Sequence, residues 1–288
     1  MPDESIKCVG VIVKPHHSEA WDTACELSDW LKKRNIDLVG RSLAEDEVCR
    51  VPTLPADEFV AKADLIIVLG GDGTMIAAAR LLGNAEIPVL GVNYGSLGYL
   101  TDFRIEEMFP ALEAVLEGNY KLDRRVTLNV RHHRGENILS ESRVLNDVVI
   151  NKAALARIIE IRVELDGHYV NSFRADGLIV ATPTGSTAYN LSAGGPIVFP
   201  SMRAMVLTPI CPFTLSNRPI VVPDEAEIRL SMETNNEEVA LTLDGQVGFE
   251  LEGGDVITIS KSDSTFNLVQ PTNRNYFDVL RDKLKWGR

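Results

Sequence analysis

Two patterns of apolar spacing divide this chain. Cys8–Val13 is a short apolar run of strand length, and after Ser18 the positions Ala20, Ala24, Leu27 and Leu31 recur at the spacing of one helix face. The alternation continues with "IDLV" from Ile36, the apolar run Leu65–Leu69, a helix over Thr74 and its followers stopped by Gly83, the run "IPVLGVN" from Ile87, and a helix over 106–117 stopped by Gly118. Strands alternating with helices predict an α/β fold, a parallel sheet with helices on both faces.

Beyond about residue 123 the period shortens. "RRVTLNVRHH", "SRVLNDVVIN" and "IIEIRVELDGHYVNSF" alternate apolar and polar positions, and Asp166-Gly167 is a two-residue hairpin signal. Further short strands follow in "RPIVVP", "EIRLSM", "EVALTLDGQVGFEL", "DVITIS" and "TFNLVQ". The reading is therefore an α/β domain over 1–123, a mostly β domain over 124–270, and a closing helix within 271–288. That helix carries Phe277, Leu280 and Leu284 along one side and is expected to pack back on the first domain.

Composition narrows the function classes. A 288-residue chain that is 45% hydrophobic and 24% charged can build two proper cores, and its net charge of -12 argues against a sequence-independent nucleic-acid binder. Small anions remain admissible, because local backbone amides can outweigh a distant net charge. Cys8, Cys25, Cys49 and Cys211 lack metal-ligand spacing and read as reduced core thiols. His16, His17, His132, His133 and His168 likewise show no metal spacing and are expected at the surface, so no metal site is assigned. The start of the chain is acidic, lacks the basic flank of a signal peptide, and no stretch reaches ~18 apolar residues, so the expected compartment is the cytoplasm, without a membrane partner.

Four stretches carry candidate chemistry. "LIIVLGGDGTMIAAARLL" reads as strand, glycine turn and helix, the build of a phosphate cradle, with Gly70, Gly71 and Gly73 expected to adopt conformations closed to other residues. Asp72 interrupts it: the carboxylate either holds a bridging cation, hydrogen-bonds a hydroxyl beside the phosphate, or caps the helix without any part in phosphate chemistry. In "DGLIVATPTGSTAYNLSAGGPIV" a strand feeds a loop dense in hydroxyls, suited to a polar ligand rich in acceptors. Asn146-Asp147 interrupts an apolar strand, as a ribose-binding pair or as a bulge. "LDGQ" reads by itself as a hairpin turn. The glycine turn has neither the lysine and spacing of a P-loop nor the full dinucleotide fingerprint of dehydrogenases.

Taken together, "GGDGT", Asn146-Asp147, the run from Asp176 to Pro196, "PICPFTLSNRPIVV" and Asp244-Gly245-Gln246 resemble the ATP-dependent NAD kinases, in order and over nearly the whole chain. "GGDGT" alone marks the wider superfamily that includes lipid kinases; "DGLIVATPTGSTAYNLSAGGPI" makes the match specific. The resemblance implies an α/β N-terminal domain, a β-sandwich-like C-terminal domain, a dinucleotide site in the cleft between them, and a homodimer or homotetramer in which a neighbouring subunit helps complete that site. It makes NAD the substrate and ATP, with a divalent ion, Mg²⁺, on its phosphates, the donor. Asp72 becomes the general base beside the ribose 2′-hydroxyl, with Gly73 in the same turn. Asn146, Asp147, Asp176 and the segment Thr187, Ala188, Tyr189, Asn190, Leu191 and Ser192 become the grip on NAD, with Arg157, Arg174 and Gln246 at further ligand positions. A bare charge argument sets Arg174 against the cationic oxidised nicotinamide, yet Arg there resembles the NAD-selective members, which implies NAD over NADH and ATP over polyphosphate. A lipid kinase and a non-catalytic NAD sensor are the alternatives. Phe213 departs from the pattern, in which His is frequent; beside Pro212 and Leu215 it is expected to pack in a buried apolar site.

Overall fold

In the computed structural model the described residues are 6–44, 49–95, 97–153, 157–233 and 238–287, so the acidic opening at 1–5 lies outside them. The chain divides into two units, residues 1–124 with 266–288, and residues 125–265.

In chain order the first unit contains β1 (Cys8–Val13), α1 (Ser18–Lys32), β2 (Asp37–Ser42), α2 (Ala56–Lys62), β3 (Leu65–Leu69), α3 (Asp72–Leu82), β4 (Val89–Asn93), β5 (Phe103–Arg104), α4 (Met108–Leu116) and β6 (Lys121–Arg125). It is completed by β19 (Phe266–Gln270) and α6 (Tyr276–Leu284), after strands β7 to β18 of the other unit. The sheet order is β2-β1-β3-β4-β19-β6, with β5 paired to β4, and β1, β2, β3, β4, β5 and β19 run parallel. Alternate residues of β1 point to opposite faces. Val9, Val11 and Val13 join Ala20, Ala24, Leu27 and Leu31 of α1 and Met108 and Leu112 of α4 in one core. On the other face a Cβ at Gly10 would lie 2.8 Å from the Phe59 ring of α2, and one at Gly91 would lie 3.0 Å from Met75 Sδ of α3. These two glycines let helices approach the sheet closely. Each fully buried Leu or Val of this layer contributes roughly 1.5–3 kcal/mol over its exposed state.

The second unit is built from β7 (Leu128–Arg134), β8 (Asn137–Val144), β9 (Asp147–Lys152), β10 (Ile159–Leu165), β11 (His168–Ala175), β12 (Gly177–Ala181), the short α5 (Tyr189–Ser192), β13 (Ala204–Ile210), β14 (Ile220–Pro223), β15 (Ile228–Met232), β16 (Val239–Leu243), β17 (Val247–Leu251) and β18 (Val256–Lys261). Two six-stranded sheets form, β11-β10-β15-β18-β7-β8 and β14-β13-β12-β9-β16-β17, and the pairs within them are antiparallel. Inward residues of both, such as Leu128, Ile161 and Ile257 from one and Ile150, Leu178 and Leu241 from the other, share one core, which is a sandwich. The hairpin at Asp166-Gly167 is of the primed kind, both residues having positive φ (50° and 76°).

Several expectations need correction. "TFNLVQ" forms β19 in the parallel sheet rather than a strand of the β unit. In α6, Val279 and Leu280 are the buried residues, while Phe277 is exposed. Of the four thiols only Cys8 is buried, and Cys211 is exposed. His132 is buried rather than on the surface, its Nε2 2.8 Å from Asp255 Oδ2. Among the described residues no helix is long and apolar enough to cross a membrane.

Candidate functional site

In the first unit, β3 ends at Leu69 and α3 begins at Asp72, with Gly71 as its N-cap. None of Gly70, Gly71 and Gly73 has positive φ, which corrects the expectation that their backbone needs glycine. At Gly70 space is the reason instead. A Cβ at Gly70 would sit 2.4 Å from Thr74 Oγ1, whereas a Cβ at Gly71 or Gly73 would meet nothing within 4 Å.

The Asp72 side chain does not cap α3. Its Oδ2 accepts from the Tyr99 amide (2.8 Å), and its Oδ1 accepts from the Leu100 amide (3.0 Å) and the Thr101 hydroxyl (3.2 Å). Asn93 Nδ2 donates to the same hydroxyl at 2.9 Å, which commits the Thr101 proton to Asp72. A Cβ at Gly98 would overlap Asp72 Oδ1 at 1.9 Å, so only glycine lets this loop close over the carboxylate. A carboxylate has about four acceptor positions, and three are used; the one left is on Oδ2. The half-buried Asp72 is thus a fixed carboxylate with one free acceptor, in the first turn of α3 beside the glycine turn. Asn93, Gly98 and Thr101 were missed in the sequence, where "GVNYGSLGYLT" reads only as a strand end and loop.

In the second unit the hydroxyl-rich segment is more ordered than a solvated loop. Thr182 Oγ1 donates to Leu145 O at 2.6 Å and accepts from the Gly185 amide at 3.0 Å; Ser186 Oγ donates to Pro183 O at 2.6 Å. Val198 and Ala193 pack on Val149, Ile179 and Val206, on the sheet face away from the sandwich core. Asn190 is fully buried: its Nδ2 donates to Ser186 O (2.9 Å) and Pro196 O (3.0 Å), and its Oδ1 accepts from Thr208 (2.6 Å). Both of its donors hold the loop together, so this side chain builds the segment. Tyr189, 45% exposed, and Ser192, also exposed, present their side chains outward, with Thr187, Ala188 and Leu191 half-buried.

Asn146 and Asp147 sit at the turn into β9. Asp244 accepts from the amides of Leu145 (2.9 Å), Asn146 (2.7 Å) and Asp147 (3.1 Å), so "LDGQ" is a hairpin turn whose carboxylate also ties down this turn. Its positive φ of 51° belongs to that turn. A Cβ at Gly185 would lie 2.0 Å from Asn146 O, so the loop and the Asn146-Asp147 turn touch through glycine. Asp147 is buried, and burial, then the Asp244 charge, push its carboxyl up to about 7.

The remaining candidates are dispersed over the second unit. Lys152 Nζ is 3.6 Å from Asp176 Oδ1, while Arg157 and Gln246 are exposed. Arg174 lays its guanidinium over the Phe213 ring, 5.2 Å from the centroid, and its carbonyl accepts from the Phe213 amide at 2.8 Å. Phe213 is 63% exposed and Leu215 90% exposed, which overturns the expected buried apolar site. Phe213→His is therefore expected to change stability by less than about 0.5 kcal/mol, as surface substitutions do, in a urea titration.

Models of two protein domains match the chain: the ATP-NAD kinase N-terminal domain over residues 9–120 and the ATP-NAD kinase C-terminal domain over residues 145–271. The chain belongs to the ATP-NAD kinase family. It is 50% identical over 283 residues to an NAD kinase of Geotalea daltonii, covering 98% of this chain and 99% of that one. With an NAD kinase of Geobacter metallireducens it is 48% identical, with 98% and 99% covered. Among solved structures it resembles a yeast NADH kinase complexed with NADH (TM-score 0.90, 28% identity, 99% of this chain and 89% of that one). It also resembles an NAD kinase from Archaeoglobus fulgidus in complex with ATP (TM-score 0.75, 27% identity, 96% and 98%). As a member of the ATP-NAD kinase family the chain is an enzyme, a phosphotransferase. Among the described residues no group of three or more His, Cys, Asp or Glu could cage a metal ion. A Mg²⁺ carried mainly by substrate phosphates, as this ion is usually held, would meet at the turn's cavity one carboxylate among the described residues, Asp72.

Proposed function

We propose that the chain passes the terminal phosphoryl group of ATP to the 2′-hydroxyl of the adenosine ribose of NAD, giving NADP. The ribose oxygen forms a bond to the γ-phosphorus, the bond from that phosphorus to the β,γ-bridging oxygen breaks, ADP leaves, and the hydroxyl proton goes to Asp72 Oδ2. The observation that carries this reading is the Asp72 carboxylate, fixed by the Tyr99 and Leu100 amides and the Thr101 hydroxyl with one acceptor position free. A carboxylate is too weak a base to ionise a sugar hydroxyl before attack, but a loose transition state asks for little early deprotonation. Orientation of the oxygen is then the larger part of its work. Mg²⁺ bound to the donor would supply neutralisation of the phosphate charge that otherwise repels Asp72.

NAD would be held through Asn146, Asp147, Asp176, Tyr189 and the rest of the 187–192 segment, with Gly73, Arg157, Arg174 and Gln246 as further contacts. Asn190 is read as supporting that segment rather than as a side-chain ligand. Tyr189→Ala and Asn146→Ala are expected to weaken NAD binding about ten-fold or more and ATP binding far less, as loss of one good polar or stacking contact does. Isothermal calorimetry with each nucleotide checks this, and unchanged NAD affinity in both variants removes the segment from the site. NAD is expected well above NADH in catalytic efficiency, and ATP above polyphosphate. The reading also includes a cytoplasmic homodimer or homotetramer, testable by sedimentation.

A coupled assay for NADP formation separates this from the alternatives. An NAD sensor forms no NADP, and a lipid kinase labels diacylglycerol vesicles instead.

A further inference from the structure

The glycine turn lacks the lysine that a P-loop carries next to its glycines. The fold brings cations to it from the two ends of the chain. A cavity of about 500 Å³ opens on Gly70, Gly71 and Asp72, and its wall includes Lys14, His17 and Lys283.

Lys14 follows β1 directly, and its amide donates to Leu69 O at 2.9 Å, which locks its backbone beside the last residue before the turn. Lys283 lies in the last turn of α6, four residues after Val279 and so on the same buried helix face. The N-terminus of α6 is held by the reciprocal capping of Asn275 and Asp278, and its last turn carries Lys283 to the cavity wall. Lys283 is half-buried and Lys14 exposed. Neither ammonium has an ion-pair or hydrogen-bond partner among the described residues, although the chain has 41 acidic residues and a net charge of -12. His17 accepts from the Ala20 amide through Nδ1, which places its proton on Nε2 as one more donor at the same wall.

Two unpaired ammonium groups beside the N-terminus of α3 suit a linear chain of phosphates, for which lysine acts as a point charge. We infer that Lys14 and Lys283, converging on the cavity at Gly70–Asp72, hold the triphosphate of the donor. The inference rests on the kinase reading and adds to it the residues that bind the donor.

The test uses the full chain with Lys14→Ala, Lys283→Ala, and the charge-keeping Lys14→Arg and Lys283→Arg. With NAD saturating, each alanine variant is expected to raise the KM for ATP about ten-fold, with the KM for NAD within about two-fold and partial recovery in the arginine variants. Calorimetry without NAD, using ATP and inorganic tripolyphosphate, is expected to show the same loss for both ligands, since the contacts are to phosphate. An unchanged KM for ATP in both alanine variants overturns the inference while the kinase reading stands. If the wild-type chain forms no NADP, the kinase reading fails, and the tripolyphosphate titration still decides: equal affinity in wild type and both alanine variants, or no binding to wild type, overturns the role of the lysines.

Discussion

Asp72→Asn is expected to lower turnover of NAD by about 100-fold or more while changing the affinity for NAD only several-fold. The geometry makes this substitution unusually specific. With the amide oxygen at the Oδ1 position, the bonds from the Leu100 amide and the Thr101 hydroxyl persist. The nitrogen then replaces Oδ2, facing the Tyr99 amide donor with a donor and offering the ribose hydroxyl a donor where it needs an acceptor. One lost bond inside the protein costs about 1–3 kcal/mol, visible as a lower unfolding midpoint. Thr101→Val separates that effect from the chemistry, because it loosens the carboxylate without removing it, and turnover there should fall by no more than about ten-fold. Near-wild-type turnover by Asp72→Asn sinks the role assigned to this carboxylate.

Asp147→Asn is expected to have the opposite effect on stability. Burial and the neighbouring Asp244 charge push the Asp147 carboxyl up to about 7. In the unfolded chain it titrates near ~3.9, so between about pH 4 and 7 the native state keeps a proton the unfolded state has lost. Stability from this group is therefore intact below that window and falls as pH rises through it, by up to about 4 kcal/mol in the free protein. The asparagine variant lacks this slope. Urea denaturation near pH 5 and near pH 8 should show the variant gaining on wild type at the higher pH, and equal slopes would refute the raised value. NAD binding should weaken in the same variant, because the amide nitrogen cannot accept from a ribose hydroxyl.

Much of the fold was legible because local periodicity reports which face of an element is buried. Ala20, Ala24, Leu27 and Leu31 are all completely buried in α1, and the hairpin at Asp166-Gly167 has the backbone its residues imply. The helix α2 was not legible: "ADEFVAK" buries Phe59 alone, too few apolar positions to set a period. Nor was the sheet that β19 joins, since an apolar run shows only that it is covered, not by what. Phe213 misled for the same reason, as apolar neighbours in sequence need not be neighbours in a core.

The candidate site divides in the same way. The sequence alone determined the glycine turn with its carboxylate, the hydroxyl-rich segment and the family they mark, because these depend on residue types at fixed short spacing. Tertiary structure decided what each does. It showed that no glycine of the turn has positive φ and that Gly70 is there for space, that Asp244 holds the Asn146-Asp147 turn, and that Asn190 is spent inside its loop. Asp72 meets Tyr99, Leu100 and Thr101 nearly thirty positions away, and Lys14 and Lys283 reach one cavity from opposite ends of the chain. Hydrogen bonds and charges act over a few ångströms, and only the packing of distant segments decides which groups come that close.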